Sequence, residues 1–209
     1  MHALLLNCSP HGTASHGYRL AKEMFAALKQ SPEANMQDVK LIERDLVAEP
    51  LPIIDQKYAA AITSKTPIAD AFDWSERLIG EIEQTDMLVI TTPMHNFTVP
   101  ASLKLWIDHV LRIHRTFSPT PEGKIGLMQD RPTFVIVGSG GFHAGERARQ
   151  PDFLTPYMRY ALGSIGIKNV KFILLEGLVF GDAAVEEAVA AARREMMVDI
   201  PFCALQVVT

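Results

Sequence analysis

Five short strand-like runs, most of them apolar and alternating with helix-like patterns, constrain this chain more than any other feature. They cover residues 3–6, 39–45, 87–91, 133–137 and 170–175. A brief apolar run bounded by turn residues fits a strand buried on both faces, which is how parallel strands are written. Between them, helical spacing covers residues 15–29, 67–84, 100–113 and 152–165, and a closing helix covers 182–198. In the first helix Leu20, Met24, Ala27 and Leu28 recur on one side. Pro67 and Pro100 stand at plausible helix starts, where a missing N–H costs little, and Asp182 suits an N-cap. Strand–helix alternation of this kind predicts an α/β fold, a doubly wound parallel sheet with helices on both faces. Five strands suggest the order 2-1-3-4-5. The connection 46–66 reads as irregular and unusually long, which points to a functional or interface loop, 117–130 reads as turn-rich, and together the two suggest a built substrate pocket.

No internal repeat or composition break divides the 209 residues, so one domain spanning 1–209 is expected. The net charge of −4 argues against nucleic acid as a partner, because phosphate backbones call for a basic face. Cys8 and Cys203 are the two cysteines, too far apart in sequence for a CxxC or zinc motif. With no disulfide framework, a reducing cytoplasm is the expected location. The apolar run near the start is too short for a signal peptide, and no stretch approaches the ~18 apolar residues of a spanning helix, so no membrane insertion is expected.

In an open parallel sheet, ligands bind beyond the carboxyl ends of the strands, where strand order reverses. With the order above, residues 9–17, 92–97 and 138–143 meet there, and they are also the three most distinctive loops of the chain. The first carries Ser9 and Ser15 around Gly12 and Thr13, with His16 and Gly17 opening the helix and no lysine or arginine before Arg19. A helix N-terminus offers free N–H groups and a positive dipole end, and small residues let an anion come close, so this is a phosphate cradle without a lysine. The plainer role of Ser15 is a helix cap. Neither Gly-Lys-Ser/Thr nor GxGxxG occurs in the loop. The second loop brackets Met94, His95, Asn96 and Phe97 between Pro93 and Pro100. Met94 and Phe97 can pack on an aromatic ring system while the Asn96 amide meets its polar edge. The third loop, Gly138, Ser139, Gly140 and Gly141, exposes backbone to a close ligand or adopts positive φ. Together they favour a planar phosphorylated cofactor, FMN being the natural candidate. Four histidines fall in these loops (His11, His16, His95, His143), but their spacing does not support a metal site, and no Gly-x-Ser-x-Gly elbow supports a serine hydrolase.

Across nearly its whole length the chain resembles the AzoR-type family of FMN-dependent NADH:quinone oxidoreductases and azoreductases. The resemblance rests on Ser9 with Ser15-His16-Gly17, on Pro93-Met94-His95-Asn96-Phe97, and on Leu103-Lys104 with Trp106-Ile107-Asp108. It continues through Gly138 to Gly141, Leu154-Thr155-Pro156-Tyr157, Leu162-Gly163-x-Ile165-Gly166-Ile167, Val170-Lys171-Phe172 and Glu176-Gly177. It implies a flavodoxin-like fold and an FMN held through Ser9 and Ser15 to Gly17 at the phosphate. Pro93, Met94, His95, Asn96 and Phe97 would lie along the isoalloxazine, with Gly138, Ser139, Gly140 and Gly141 at the pyrimidine edge. It also implies NADH or NADPH as donor, quinones or azo compounds as acceptors in a ping-pong cycle, and a homodimer. The flavin would carry the chemistry without a catalytic side chain, His95 and His143 being candidates for a proton relay. This chain has His95 and Ser139 where the family often has Tyr and Arg. The rivals are a flavodoxin-type electron carrier, a flavin-free interaction module, and an FMN reductase that releases its flavin.

Overall fold

The computed structural model describes residues 1–30, 39–64, 66, 68 and 70–207. Five parallel strands form its central sheet: β1 (His2–Asn7), β2 (Lys40–Asp45), β3 (Met87–Pro93), β6 (Thr133–Gly138) and β7 (Val170–Leu175). Their spatial order is β2-β1-β3-β6-β7, which is 2-1-3-4-5 when only the strands of this sheet are counted. The register aligns their carboxyl ends, pairing Asn7 with both Asp45 and Thr91, and Gly138 with both Pro93 and Leu175.

Side chains alternate across the sheet because the strand period is two. Leu4, Leu6, Leu88, Ile90, Val135 and Val137 face one way. They pack on α3 (Asp73–Glu83), α4 (Ala101–Val110) and α5 (Leu154–Ser164) through residues such as Leu78, Trp106 and Met158. Ala3, Leu5, Met87, Val89, Phe134 and Ile136 face the other way, toward α1 (His16–Gln30) and α6 (Asp182–Val207). Leu20, Met24, Leu28 and Met196 cover that side. Each such buried side chain contributes about 1.5–3 kcal/mol, which explains why β1, β3 and β6 carry almost no polar residues until their carboxyl ends.

The helix ends refine the expectations from sequence. Ser15 caps α1: its hydroxyl accepts the Tyr18 N–H at 3.2 Å and its carbonyl accepts the Arg19 N–H. Pro100 sits at the cap of α4 instead of inside its first turn, and α4 ends at Val110, short of residue 113. Asp182 is the first helical residue of α6; Gly181, at φ +94°, takes the cap position with its carbonyl accepting from Val185. The helix expected over 67–84 begins in regular form only at Asp73, and Pro67 lies outside the described residues.

Both long connections contain regular structure. Residues 46–66 include α2 (Gln56–Thr63), capped by Asp55, whose carboxylate accepts the Tyr58 N–H at 2.8 Å. Only Tyr58 and Ala61 of α2 are buried, so its apolar pattern is too thin to stand out in sequence. Residues 117–130 include an antiparallel hairpin, β4 (Phe117–Thr120) with β5 (Gly123–Gly126). No helix among the described residues is long and apolar enough to cross a membrane.

Candidate active site

A cavity of about 530 Å³ opens beyond the carboxyl ends of β1, β3 and β6, at the reversal of strand order. It lies within the range of small-molecule sites. Among the described residues, no aspartate, glutamate, lysine or arginine lines it; its polar wall is made of serines, threonines, histidines and backbone.

The floor is a set of hydrogen bonds that shape the first loop. Asn7 is buried; its amide donates to Asp45 at 2.9 Å, and its carbonyl oxygen accepts from Thr91 at 3.1 Å and from the Ser9 N–H at 3.3 Å. The Ser9 hydroxyl oxygen accepts the His11 N–H at 3.2 Å, as Ser15 does for Tyr18. Both serines therefore act as acceptors within the loop and keep an O–H to donate outward. Among the described residues, the N–H groups of His16 and Gly17 have no acceptor, as expected for the first turn of a helix. Two hydroxyl donors and two amide donors converge on one end of a cavity without a carboxylate, at the positive end of the α1 dipole. That donor set suits a phosphate monoester. Cys8 adds no nucleophile here, because burial, reinforced by the charge of Asp45, pushes its thiol far above the ordinary range.

The second loop is a tight turn. His95 and Thr98 exchange N–H and C=O at 2.9 and 3.0 Å, and the two residues between them, Asn96 and Phe97, both have positive φ (47° and 71°). Asn tolerates this conformation; for Phe it is a strained one, of a kind that clusters at functional sites. The turn leaves Pro93, Met94 and His95 on the cavity wall and carries Asn96 and Phe97 outward, where Phe97 is 40% exposed.

The third loop is built by backbone. The Met94 N–H donates to Gly138 O and the Ser139 N–H to Leu175 O, each at 2.8 Å. The Ser139 hydroxyl donates to Gly141 O at 2.9 Å, so this side chain is turned into its own loop. None of the four residues has positive φ; close approach is what glycine provides here. A Cβ on Gly140 would stand 2.8 Å from a Val179 methyl.

Of the residues expected from sequence, Ser9, Ser15, His16, Gly17, Pro93, Met94, His95, Gly138, Ser139 and Gly140 line the cavity, while Asn96, Phe97 and Gly141 do not. The structure adds His11, Thr91 and Thr92, and a fourth loop after β7 that supplies Leu178 and Val179 as an apolar wall. The sequence signal for that loop was its pair of glycines, Gly177 and Gly181, both at positive φ. Gly177 is also pressed against Phe142, whose ring would lie 2.7 Å from an added Cβ. Among the described residues, no group of three or more His, Cys, Asp or Glu stands close enough to hold a metal ion.

Comparison with known proteins agrees with this architecture. A family model described as flavodoxin-like fold matches residues 1–199. FMN-dependent NADH:quinone oxidoreductase 4 of Pseudomonas fluorescens is 57% identical over 191 residues, covering 91% of either chain. FMN-dependent NADH:quinone oxidoreductase 5 of Burkholderia lata is 50% identical over 184 residues, covering 88% of either chain. Among solved structures, an azoreductase from Bacillus anthracis strain Sterne superposes with a TM-score of 0.82 at 21% identity, over 97% of this chain and 99% of that one. An FMN-dependent NADH-azoreductase from B. anthracis strain Ames Ancestor, solved in complex with FMN, gives 0.74 at 20% identity over 94% and 98%. At such identities the structural likeness is one of fold.

Proposed function

The chain belongs to the family of FMN-dependent NADH:quinone oxidoreductases with the flavodoxin-like fold, and from that membership we propose that it takes a hydride from NADH and passes it to quinones or azo compounds through bound FMN. The observation that carries the reading is the donor set at one end of the cavity: the hydroxyls of Ser9 and Ser15 with the free N–H groups of His16 and Gly17, facing no acidic side chain among the described residues. These residues would hold the phosphate. Pro93, Met94 and His95 on one side and Leu178 and Val179 on the other would enclose the ring, with the backbone of Gly138, Ser139 and Gly140 along its polar edge. Asn96, Phe97 and Gly141 belong to the same reading as residues of the outer rim.

When bound, FMN supplies hydride acceptance and donation, and the protein contributes position, electrostatics and exclusion of water. The Gly140 N–H, which has no acceptor among the described residues, would favour negative charge developing at the ring's polar edge, and it needs no reorganisation because the Ser139 N–H ties the loop to Leu175 O of β7. Donor and acceptor visiting one rim in turn fits a ping-pong cycle. A homodimer is part of the proposal. Ile125 of the hairpin, Leu127 just after it, Phe153 just before α5 and Tyr160 within α5 are large exposed apolar side chains that a dimer interface would cover. A cytoplasmic location is part of it too, consistent with a buried, unpaired Cys8.

The test is titration of the purified protein with FMN, followed by anaerobic NADH and then a quinone. The expected result is a yellow protein that retains FMN on gel filtration, bleaches with NADH and recolours with quinone, with no second protein present. Absence of FMN binding, or reduction that only a protein partner can discharge, overturns the reading.

A further inference from the structure

The loop that follows β6 is held at two separate points, and the second involves a side chain that lines no part of the cavity. The first is backbone: Ser139 N–H to Leu175 O, Leu178 N–H to Ser139 O and Gly177 N–H to Gly141 O, at 2.8 to 3.1 Å. The second is Glu176, which directly follows β7. One of its carboxylate oxygens accepts two successive backbone N–H groups, from His143 at 2.5 Å and Ala144 at 3.0 Å. Both bonds go to an ionised acceptor, the stronger class of hydrogen bond.

His143 is fixed by more than its backbone. Its Nδ1 lies 3.0 Å from Pro151 O; a carbonyl only accepts, so Nδ1 carries a proton and donates. Nε2 is thus the ring's uncommitted polar atom, and it lies 3.7 Å from where a Cβ of Gly141 would stand. The ring also meets Phe97 edge-on, with centroids 6.4 Å apart and planes at 65°. This contact joins the outward turn of the second loop to the third loop, across the rim of the cavity. The strained φ of Phe97 and the Glu176 clamp serve the same juxtaposition from opposite sides.

We propose that Glu176 is a positioning residue for the electron acceptor: by clamping the His143–Ala144 backbone it sets the Phe97–His143 rim against which a planar aromatic acceptor packs. The inference rests on the function proposed above and deepens it. Because residues 138–141 are tied by backbone bonds of their own to Leu175 of β7 and to Gly177 and Leu178 just beyond it, loss of the Glu176 carboxylate leaves the inner loop in place and loosens the rim. The acceptor step and flavin retention are therefore separable.

The experiment compares Glu176→Ala and Glu176→Gln with the unsubstituted protein, all loaded with FMN. For Glu176→Ala the quinone KM is expected to rise about tenfold with kcat within about twofold, since what is lost is acceptor placement. Its FMN dissociation constant stays within about threefold, and hydrogen exchange at the His143 and Ala144 amides accelerates. Glu176→Gln still offers an oxygen to both N–H groups and brings KM back to within about threefold. If Glu176→Ala does not fold, Glu176→Met, which keeps the bulk without the carboxylate, carries the same expectation. An unchanged KM, a Gln variant no better than Ala, or FMN affinity falling in step with KM overturns the proposal. An unsubstituted protein that binds no FMN overturns the parent reading and this one with it, and amide exchange then tells whether the clamp itself exists.

Discussion

Ser15 performs two tasks with one hydroxyl, and two substitutions pull them apart. As an acceptor it caps α1 through the Tyr18 N–H at 3.2 Å; as a donor its O–H would meet the FMN phosphate. Ser15→Ala loses both. A lost cap costs about 1 kcal/mol, which lowers the melting temperature of a chain this size by roughly 2–4 °C. A lost hydrogen bond to a charged group costs about 1.5–3 kcal/mol, or about tenfold to hundredfold in FMN affinity. Ser15→Asp keeps the cap, because aspartate accepts from the same N–H as well as serine and favours the dipole end of α1. It also sets a carboxylate against a phosphate. Two unit charges about 4 Å apart repel by about 4 kcal/mol at an effective dielectric near 20. Ser15 is only half-buried, so halving that figure for solvent leaves about 2 kcal/mol, or about thirtyfold in affinity. The assays are thermal melts of the flavin-free protein and quenching of flavin fluorescence, with riboflavin as the ligand that lacks the phosphate. The aspartate variant should melt like the unsubstituted protein, bind FMN at least about thirtyfold more weakly and bind riboflavin unchanged. Equal loss of FMN and riboflavin, or FMN binding that tolerates the aspartate, would refute a phosphate at this helix end. A fall in melting temperature matching that of Ser15→Ala would refute the cap.

Gly177→Ala combines a positive φ of 77° with a Cβ only 2.7 Å from the Phe142 ring, so it should destabilise by about 2 kcal/mol or more in urea unfolding; a change below about 0.5 kcal/mol would show that the Phe142 contact gives way freely. Phe97→Gly removes a large side chain yet relieves a backbone strained at φ +71°, so the melting temperature should stay within about 3 °C while the quinone KM rises; a larger drop would mean the ring packs as core. Acid stability follows from Glu23 and Glu83, whose carboxyls are held below the ordinary range by hydrogen bonds from Arg193 and Arg115. Depressed folded-state values mean stability that is present above the ordinary carboxylate range and lost as pH falls through the folded-state values. Both pairs are solvent-screened, with Arg115 half-buried and the other three groups exposed, so each contributes on the order of 0.5 kcal/mol, and Arg115→Gln should flatten part of the acid limb of a stability–pH curve; an unaltered limb would assign that loss to other carboxylates.

What could be read from the sequence divides along a physical line. Strands buried on both faces must be apolar at every position, so β1, β3 and β6 announced themselves, and β7 was bounded without error at Val170–Leu175. Their loops followed, because a polar cluster such as Asn7 to Ser9 after an apolar run has to lie at a strand's carboxyl end. Short elements with few buried residues sent no such signal. The hairpin of Phe117–Thr120 with Gly123–Gly126 buries Phe117 alone, and α2 only Tyr58 and Ala61. The site divides in the same way. Residues that line the cavity by backbone or by position at a strand end, such as Gly138 and Pro93, are legible. Asn96 and Phe97 stand out in sequence by their chemistry, and it is the turn that carries them outward. That turn is set by two successive positive φ values, which composition does not encode when the second residue is Phe instead of Gly. Glu176 was visible only as part of a motif. Its role depends on where β7 ends relative to His143, 33 residues earlier, so it belongs to the topology and not to any local pattern. A helix cap, a strand end and a glycine against a ring each restrict residue type from local geometry. A carboxylate clamping a distant turn does not, and positioning residues of this kind are the ones that a fold reveals and a sequence withholds.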